Sequence, residues 1–414
     1  MSTKNEPLHV LIEEMDGSLW AAATEKGRLQ GLEVDPVNEE VRWGSIYWAK
    51  VARIDSALDA AFVNLDGDNI GLLHNTDVRI RQKDGTYKKG GDVAIGKLIE
   101  PGQMIAVQSK EGYLPQLDEN NERVKEDKRP RVSMNINLPG RYAIYTPMEK
   151  DNQVSRRIRD KKLRKQLMTM LDDMKDVQGC ILRAAAADTQ TDILIRESKI
   201  LAETWRQVQT YFEGDDPSLI MLGPDAIQRM LGDHANRPIQ SIEITTMDHF
   251  RLVEEWCEVY APDLVTKIQP VEIDDDEMGL LEFHDLIGQV EELFQPYAVL
   301  REGGVIIIQE AAAFAAIDVN SGADKRGKLA INMDAGKELA RQIRLRNMGG
   351  AIVIDFLKMK DKAEHQALLD ALADYFNEDP CTVQIHGFTN LGFLEITRNQ
   401  RTPALIDRFH NAMS

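Results

Sequence analysis

Asp318 and Asp355 each close a short apolar run, in "FAAIDVNSG" (314–322) and "AIVIDF" (351–356), and Asn320 stands two positions beyond the first. Each run reads as a buried strand, where an ionised carboxylate is costly unless it is paired, hydrogen-bonded or bound to a metal. A strand carries such a side chain to its C-terminal edge, where ligands of α/β sheets gather. One helical stretch separates the two runs, so the strands can be neighbours in one sheet with both carboxylates at the same end. Two carboxylates with open positions for water are a donor set that Mg²⁺ prefers. Asn320, on the same strand face as Asp318, is placed to hydrogen-bond and orient it. The other reading is that each aspartate caps the loop or helix that follows it. Spacing alone leaves both open.

The elements that must position these residues are legible around them. From residue 296 onward "GVIIIQE" and "AFAAIDVN" form a hairpin, and "MDAGKELARQIRLRNMGG" a helix with Asp334 near its start and Gly349–Gly350 past its end. Then come "AIVIDFL" as a strand, "AEHQALLDALADYF" as a helix, and "TVQIHGF" with "GFLEITR" as closing strands. At the other end of the chain, "LHVLIEEM", "SLWAAATE" and "RLQGLEVD" are a strand meander punctuated by Asp16–Gly17 and Lys26–Gly27. Three strands alone make a poor domain, so they complete a sheet with later parts of the chain. Between 44 and 137, "SIYWAKVARI", "AAFVNLD", "NIGLLHN" and "MIAVQS" predict a small barrel of the oligonucleotide-binding type. Residues 109–131, nearly free of apolar side chains, read as a long mobile insertion. Residues 138–218 mix strands with a basic helix at 160–174 and the helical spacing of Ile200, Leu201, Trp205, Val208 and Phe212; another α/β stretch runs from 218 to about 295. The acidic run Asp274–Glu277 within it reads as a solvated turn.

Composition narrows the chemistry. At 414 residues the chain exceeds what one core usually serves, and 43% hydrophobic with 29% charged residues is a globular balance. No run approaches the length of a membrane span, and the start "MSTKNEPLHV" lacks the features of a signal peptide, so a cytoplasmic location is expected. Cys180, Cys257 and Cys381 make no C-x-x-C pair, the histidines show no H-x-x-x-H, and neither a GxSxG elbow nor a GxxxxGK[ST] loop is present. A net charge of −18 argues against nonspecific nucleic-acid binding, yet "SRRIRDKKLRKQL" (155–167) sets seven basic residues against Asp160 alone. That stretch is either a solvated helix face or a track for an anionic partner.

"AIDVNSG", "ELARQIRLRNMGGAIVIDF" and "GFLEITR", with "DAAFVNL", "NLPGRYAIYTP" and "SRRI" upstream in the same order, resemble the ribonuclease E/G family of bacterial endoribonucleases. The resemblance implies a multidomain α/β (α+β) fold: an RNase H-like subdomain (1–43 plus 219–295), an inserted S1-type OB barrel (44–137), a 5′-sensor region (138–218) and a DNase I-like catalytic subdomain (296–414). It implies hydrolysis of single-stranded RNA to 5′-phosphate and 3′-hydroxyl products, with Mg²⁺, or Mn²⁺ in its place, on Asp318 and Asp355, and Asn320 as orienting residue.

By the same resemblance Phe62 stacks on RNA, Lys128 makes a basic contact, and Arg156 and Arg157 line the RNA path. Arg183 would read a 5′-monophosphate in a pocket lined by Gly140 and Ile144. The sequence departs from the family pattern at Leu72, where relatives carry a second aromatic, at Ala184, where a threonine is expected, and at Lys358, where Asp is common. Relatives continue past "TRxR" to a C-P-x-C motif sharing one zinc between two subunits; "TRNQRTPALIDRFHNAMS" holds neither cysteine, so no zinc is expected in this chain. A homodimer stays open as its assembly. The alternatives to an RNA endonuclease are an RNA-binding scaffold of the same fold that cleaves poorly, and a nuclease acting on DNA.

Overall fold

A computed structural model describes residues 6–115, 128–272, 278–311 and 313–412; the acidic run Asp274–Glu277 and most of the insertion at 109–131 lie outside them. Strands β1 (Leu8–Met15), β2 (Ser18–Glu25) and β3 (Arg28–Asp35) form the expected antiparallel meander. Its two turns place Asp16–Gly17 and Lys26–Gly27 at positive φ, the geometry that matches strand twist in a two-residue hairpin. Beyond them β4 (Ile46–Asp55), β5 (Ala60–Asn64), β6 (Ile70–His74), β7 (Met104–Ser109) and β8 (Arg131–Ser133) pair in the order β4-β5-β6-β8-β7. A second pairing of β7 with β4 closes them into a five-stranded barrel. Closure removes the free edges that an open sheet this small would expose. Alternate residues, among them Val51, Ala61, Val63, Leu73, Val107 and Val132, fill its interior, and Tyr113 of the insertion packs there too.

The next stretch builds a small sheet containing β9 (Ala143–Tyr145) and β10 (Cys180–Leu182) with helices α1 (Lys161–Asp173) and α2 (Thr191–Gln209), followed by α3 (Ala226–Asp233). Arg156 and Arg157 precede α1 in a turn; Asp160 caps α1 by accepting from the amides of Lys162 and Leu163. A buried strut from α2 organises the loop before β9. Oε1 of Glu197 accepts from the backbone N–H groups of Tyr142 and Ala143 at 2.8 and 2.9 Å. A Cβ at Gly140 would stand 2.2 Å from that oxygen, so only glycine fits there.

The C-terminal region is a two-layer structure. Its sheet runs β11 (Tyr297–Val299), β12 (Val305–Glu310), β13 (Ala315–Asn320), β14 (Gly350–Asp355), β15 (Val383–Phe388) and β16 (Leu394–Arg398), in the order β11-β12-β13-β14-β16-β15. The parallel step from β13 to β14 needs a crossover, supplied by α4 (Lys328–Leu345), and α5 (Lys362–Tyr375) follows β14. Ile317, Val319, Ile352 and Ile354 face Ala335, Leu339, Ile343, Leu368 and Leu372 in one core. Helix α4 begins at Lys328, ahead of the expected start: its N-cap is Gly327, which offers no capping side chain for a sequence reading to find. Its C-terminal residue past the cap is Asn347, at φ 51°, rather than Gly349.

Chain contacts divide the described structure into two compact units: one of 37–241 and 247–269 with the first residues, the other of 8–36, 242–246 and 270–414. No helix among the described residues is long and apolar enough to cross a membrane.

At the start of β14 a buried polar cluster fixes the strand. Arg398, paired with Gly350 across the ladder, donates to Asp379 (2.9 and 3.1 Å), to the Asn347 side-chain oxygen (3.0 Å) and to the Met348 carbonyl (2.8 Å). Burial alone would lower the Arg398 pKa, but the negative charge of Asp379 outweighs it and raises the value. Both side chains are 1% exposed. Asp379→Ala therefore leaves a buried cation unpaired, and a loss of about 3–5 kcal/mol in urea unfolding is expected. Burial also raises the carboxyl pKa of Glu197 above its ordinary 4.5, with the two amide bonds and nearby arginines offsetting only part. Its contribution to stability is full below 4.5 and is lost as pH rises through the folded-state value. Glu197→Gln keeps the Oε1 acceptor without the charge, so its thermal midpoint should exceed the parent's at pH 8 and the gap should close as the pH falls toward 5.

Candidate functional site

Asp318 and Asp355 are register partners on the parallel pair β13–β14. Neighbouring strands put their Cα atoms about 4.8 Å apart. Because the flanking isoleucines point into the core, alternation turns both carboxylates to the opposite face of the sheet. Asp318 and Asn320 are exposed and Asp355 is half-buried, so the expectation of carboxylates on buried strands is corrected. The apolar look of "AIVIDF" comes from both faces, yet only Ile352 and Ile354 of β14 are buried. Asn320 Nδ2 donates to Asp318 Oδ2 at 2.9 Å, leaving the rest of that carboxylate's acceptor capacity toward solvent.

Two further side chains hold the loops that leave these strands. Asn332, fully buried on α4, donates through Nδ2 to the Leu357 carbonyl (2.9 Å) and accepts the Leu357 N–H on Oδ1 (3.0 Å). One amide thus satisfies both polar groups of a residue two positions past Asp355. Arg326 bridges Asp324 (2.7 Å) and Asp334 (2.6 Å), which ties the turn after β13 to α4; Asp334 serves this bridge and not the helix start. Sequence reading missed both Asn332 and Arg326, whose partners lie outside any local period; a polar residue at a core position of an amphipathic helix is the one signal Asn332 offered. Lys358 is exposed, and its carbonyl accepts from Lys328 Nζ at 3.1 Å. Among the described residues no cluster of three or more His, Cys, Asp or Glu is placed to hold a metal ion. The three cysteines are buried, and burial pushes the thiols of Cys180 and Cys257 up to about 11 and about 12, which leaves them poor nucleophiles.

The other residues singled out by sequence lie in the first unit. Phe62, half-buried on the barrel wall, is the register partner of Leu72, and Lys128 is exposed just ahead of β8. Arg156 is exposed and Arg157 half-buried. Gly140, Ile144 and Arg183 come together: Ile144 pairs with Ile181 next to the Arg183 strand, and Arg183 Nη1 donates to the Gly140 carbonyl at 3.1 Å. The second terminal nitrogen of Arg183 donates to Asp233 Oδ1 at 3.1 Å, a carboxylate only 7% exposed at the end of α3. Sequence reading gave no hint of that partner.

The ribonuclease E/G family model matches residues 137–401. Among curated proteins the chain is similar to ribonuclease E of Nostoc sp. (strain PCC 7120 / SAG 25.82 / UTEX 2576), 28% identical over 401 residues that cover 94% of this chain and 55% of that protein. It is 29% identical to ribonuclease E of Synechocystis sp. (strain ATCC 27184 / PCC 6803 / Kazusa) over 94% of this chain and 56% of the relative. Ribonuclease G of Escherichia coli (strain K12) is 26% identical over 90% of this chain and 76% of its own length. The chain spans about half the length of the two ribonuclease E relatives. With the family pattern covering the sheet of β9 and β10 and the paired aspartates alike, the chain belongs to the ribonuclease E/G family.

Proposed function

We propose that this chain is a divalent-metal-dependent endoribonuclease that cuts single-stranded RNA into 5′-phosphate and 3′-hydroxyl products, in RNA processing and decay. The observation that carries the reading is the in-register pair Asp318–Asp355 with Asn320 bonded to the first, on the open face of the sheet. The subdomain plan (RNase H-like, S1-type, 5′-sensor and DNase I-like) follows family membership, and the closed barrel and two-layer C-terminal sheet support it.

The donor set fits Mg²⁺, or Mn²⁺ in its place: two oxygen ligands on adjacent strands, exposed enough for water and a phosphate oxygen to complete the shell. Such an ion, when bound, polarises the phosphodiester and lowers the pKa of an attacking water. The protein's part is positional. Asn320 fixes the rotation of Asp318, Asn332 fixes the turn after Asp355, and Lys358 offers a cation to the substrate's phosphate backbone. Phe62, Lys128, Arg156 and Arg157 are the proposed RNA contacts. Arg183 has its terminal nitrogens committed to Gly140 and Asp233, and Ala184 brings no hydroxyl, so we infer little preference for a 5′-monophosphate end. A scaffold that binds RNA without cutting is the second reading, favoured by Leu72, Ala184 and Lys358 taken together.

Asp318→Ala should lower cleavage of a fluorescent single-stranded RNA by about 10³-fold, the several kcal/mol that a metal centre contributes. The exposed position predicts an unchanged thermal midpoint, and EDTA should abolish cutting by the parent. Binding with no cutting in Mg²⁺ or Mn²⁺ would make the scaffold the correct reading, and equal cutting of the DNA counterpart would remove RNA specificity. For the sensor, kcat/KM with 5′-monophosphate and 5′-hydroxyl ends should be nearly equal in the parent. Asp233→Asn, which frees the guanidinium charge, should favour the phosphorylated end by about tenfold, the scale of one charged hydrogen bond.

A further inference from the structure

We propose that Arg53 is a second stacking plane of the barrel, beside the ring of Phe62. The inference rests on the reading of the barrel wall as an RNA-binding surface. Arg53 on β4, Phe62 on β5, Leu72 on β6 and Arg131 on β8 are successive register partners across four strands, so the four side chains share one outward row. The Arg53 guanidinium carbon stands 3.7 Å from the centroid of the Phe62 ring. That is contact distance for a planar cation over an aromatic face.

A guanidinium has two faces, and Phe62 covers one. The side chain is 59% exposed, so much of what Phe62 does not cover meets solvent. Asp55 meets an Nη of Arg53 at 3.4 Å, an exposed contact that steadies the side chain at its edge while leaving the plane clear. Nucleobases stack on arginine planes as they do on aromatic rings, and the stack is tolerant of sequence. Leu72 on the far side of Phe62 has no π-face to offer. Arg131 at the end of the row donates through Nε and Nη2 to Glu111 at 3.1 and 2.9 Å, and its backbone N–H is held by the same carboxylate, so it is the more committed of the two arginines. The row therefore presents Arg53 and Phe62 as a continuous stack, built from a cation and a ring, with a base adding to its outer end.

The test separates the plane from the charge. A short fluorescein-labelled oligoadenylate is titrated by anisotropy in EDTA with the full chain, comparing the parent with Arg53→Lys, Arg53→Ala, Phe62→Ala and the Arg53→Ala/Phe62→Ala double variant, each checked for its thermal midpoint. Lysine keeps the charge and loses the plane. Arg53→Lys is expected to weaken binding by about tenfold with the salt slope retained, and Arg53→Ala to weaken it further with a shallower slope. The double variant should lose less than the product of the two single effects. Arg53→Lys binding as the parent does would reduce Arg53 to a phosphate contact, and tighter binding by Arg53→Ala would make it a cover that RNA displaces; either result overturns the inference. If Phe62→Ala leaves affinity unchanged, the barrel reading itself fails, and the inference with it.

Discussion

The register of the parallel pair β13–β14 is the constraint on which the C-terminal region depends. Side chains alternate along a strand, so a slip of one residue would turn Ile317 or Ile354 outward and bury an aspartate beneath α4 and α5. Both penalties fall on the same error, and they add. The aspartates thus share the outer face because the isoleucines beside them must be inside, and the register sets them opposite each other. The polar cluster at Arg398 fixes where β14 begins, and Asn332 fixes how it ends. These two clamps hold β14 at both ends, with Asp355 between them. Close packing of the crossover helix completes the arrangement: a Cβ on Gly336 would stand 2.8 Å from Leu372 Cδ2, so the Leu372 side chain of α5 packs into the space that the glycine leaves.

Electrostatics let an acidic chain carry local cations. The net charge of −18 is a property of the whole surface, whereas the cations that matter are set by local partners. Arginines in the described structure are mostly paired within a few ångströms of a carboxylate or carbonyl, as Arg326, Arg398 and Arg183 show. Such pairing makes them parts of the scaffold. The exposed lysines of α1 and Arg156 before it have a different character, since they extend from a helix face and turn with little to neutralise them but Asp160, which is itself occupied in capping.

Much of this was legible in the sequence, for identifiable reasons. The three N-terminal strands are bounded by turn dipeptides that demand positive φ, and the barrel strands by Gly- and Asp-rich turns. Alternation after Asp318 set Asn320 on its face, and the one helix between the two strands allowed them to be neighbours with both carboxylates at the same end, as the parallel pair is. What could not be read depends on contacts between distant positions. Asp233 meets Arg183, Asp379 meets Arg398 and Asn332 meets Leu357 with no periodic signal in between. The start of α4 was hidden for a different reason, because Gly327 marks it by conformation alone. Reading the apolar run before Asp355 as wholly buried failed because a half-covered sheet tolerates Ala351 and Val353 on its open face.

Arg53 on the barrel and Arg183 just past β10 each meet a carboxylate, and they differ in what else surrounds them. Arg53 lies against the Phe62 ring and makes an exposed contact with Asp55 at 3.4 Å, and more than half of its side chain is in solvent. Arg183 is held by a buried carboxylate, which cancels the charge that a phosphate would need. A cation supported by a quadrupole still attracts an anion, whereas one in a buried ion pair must first give up its partner and leave that partner's charge desolvated. The same residue type is therefore exposed on the barrel and locked in a buried pair beside β10. The identity and burial of the neighbour, more than the arginine itself, decide whether the charge is open to a further anion.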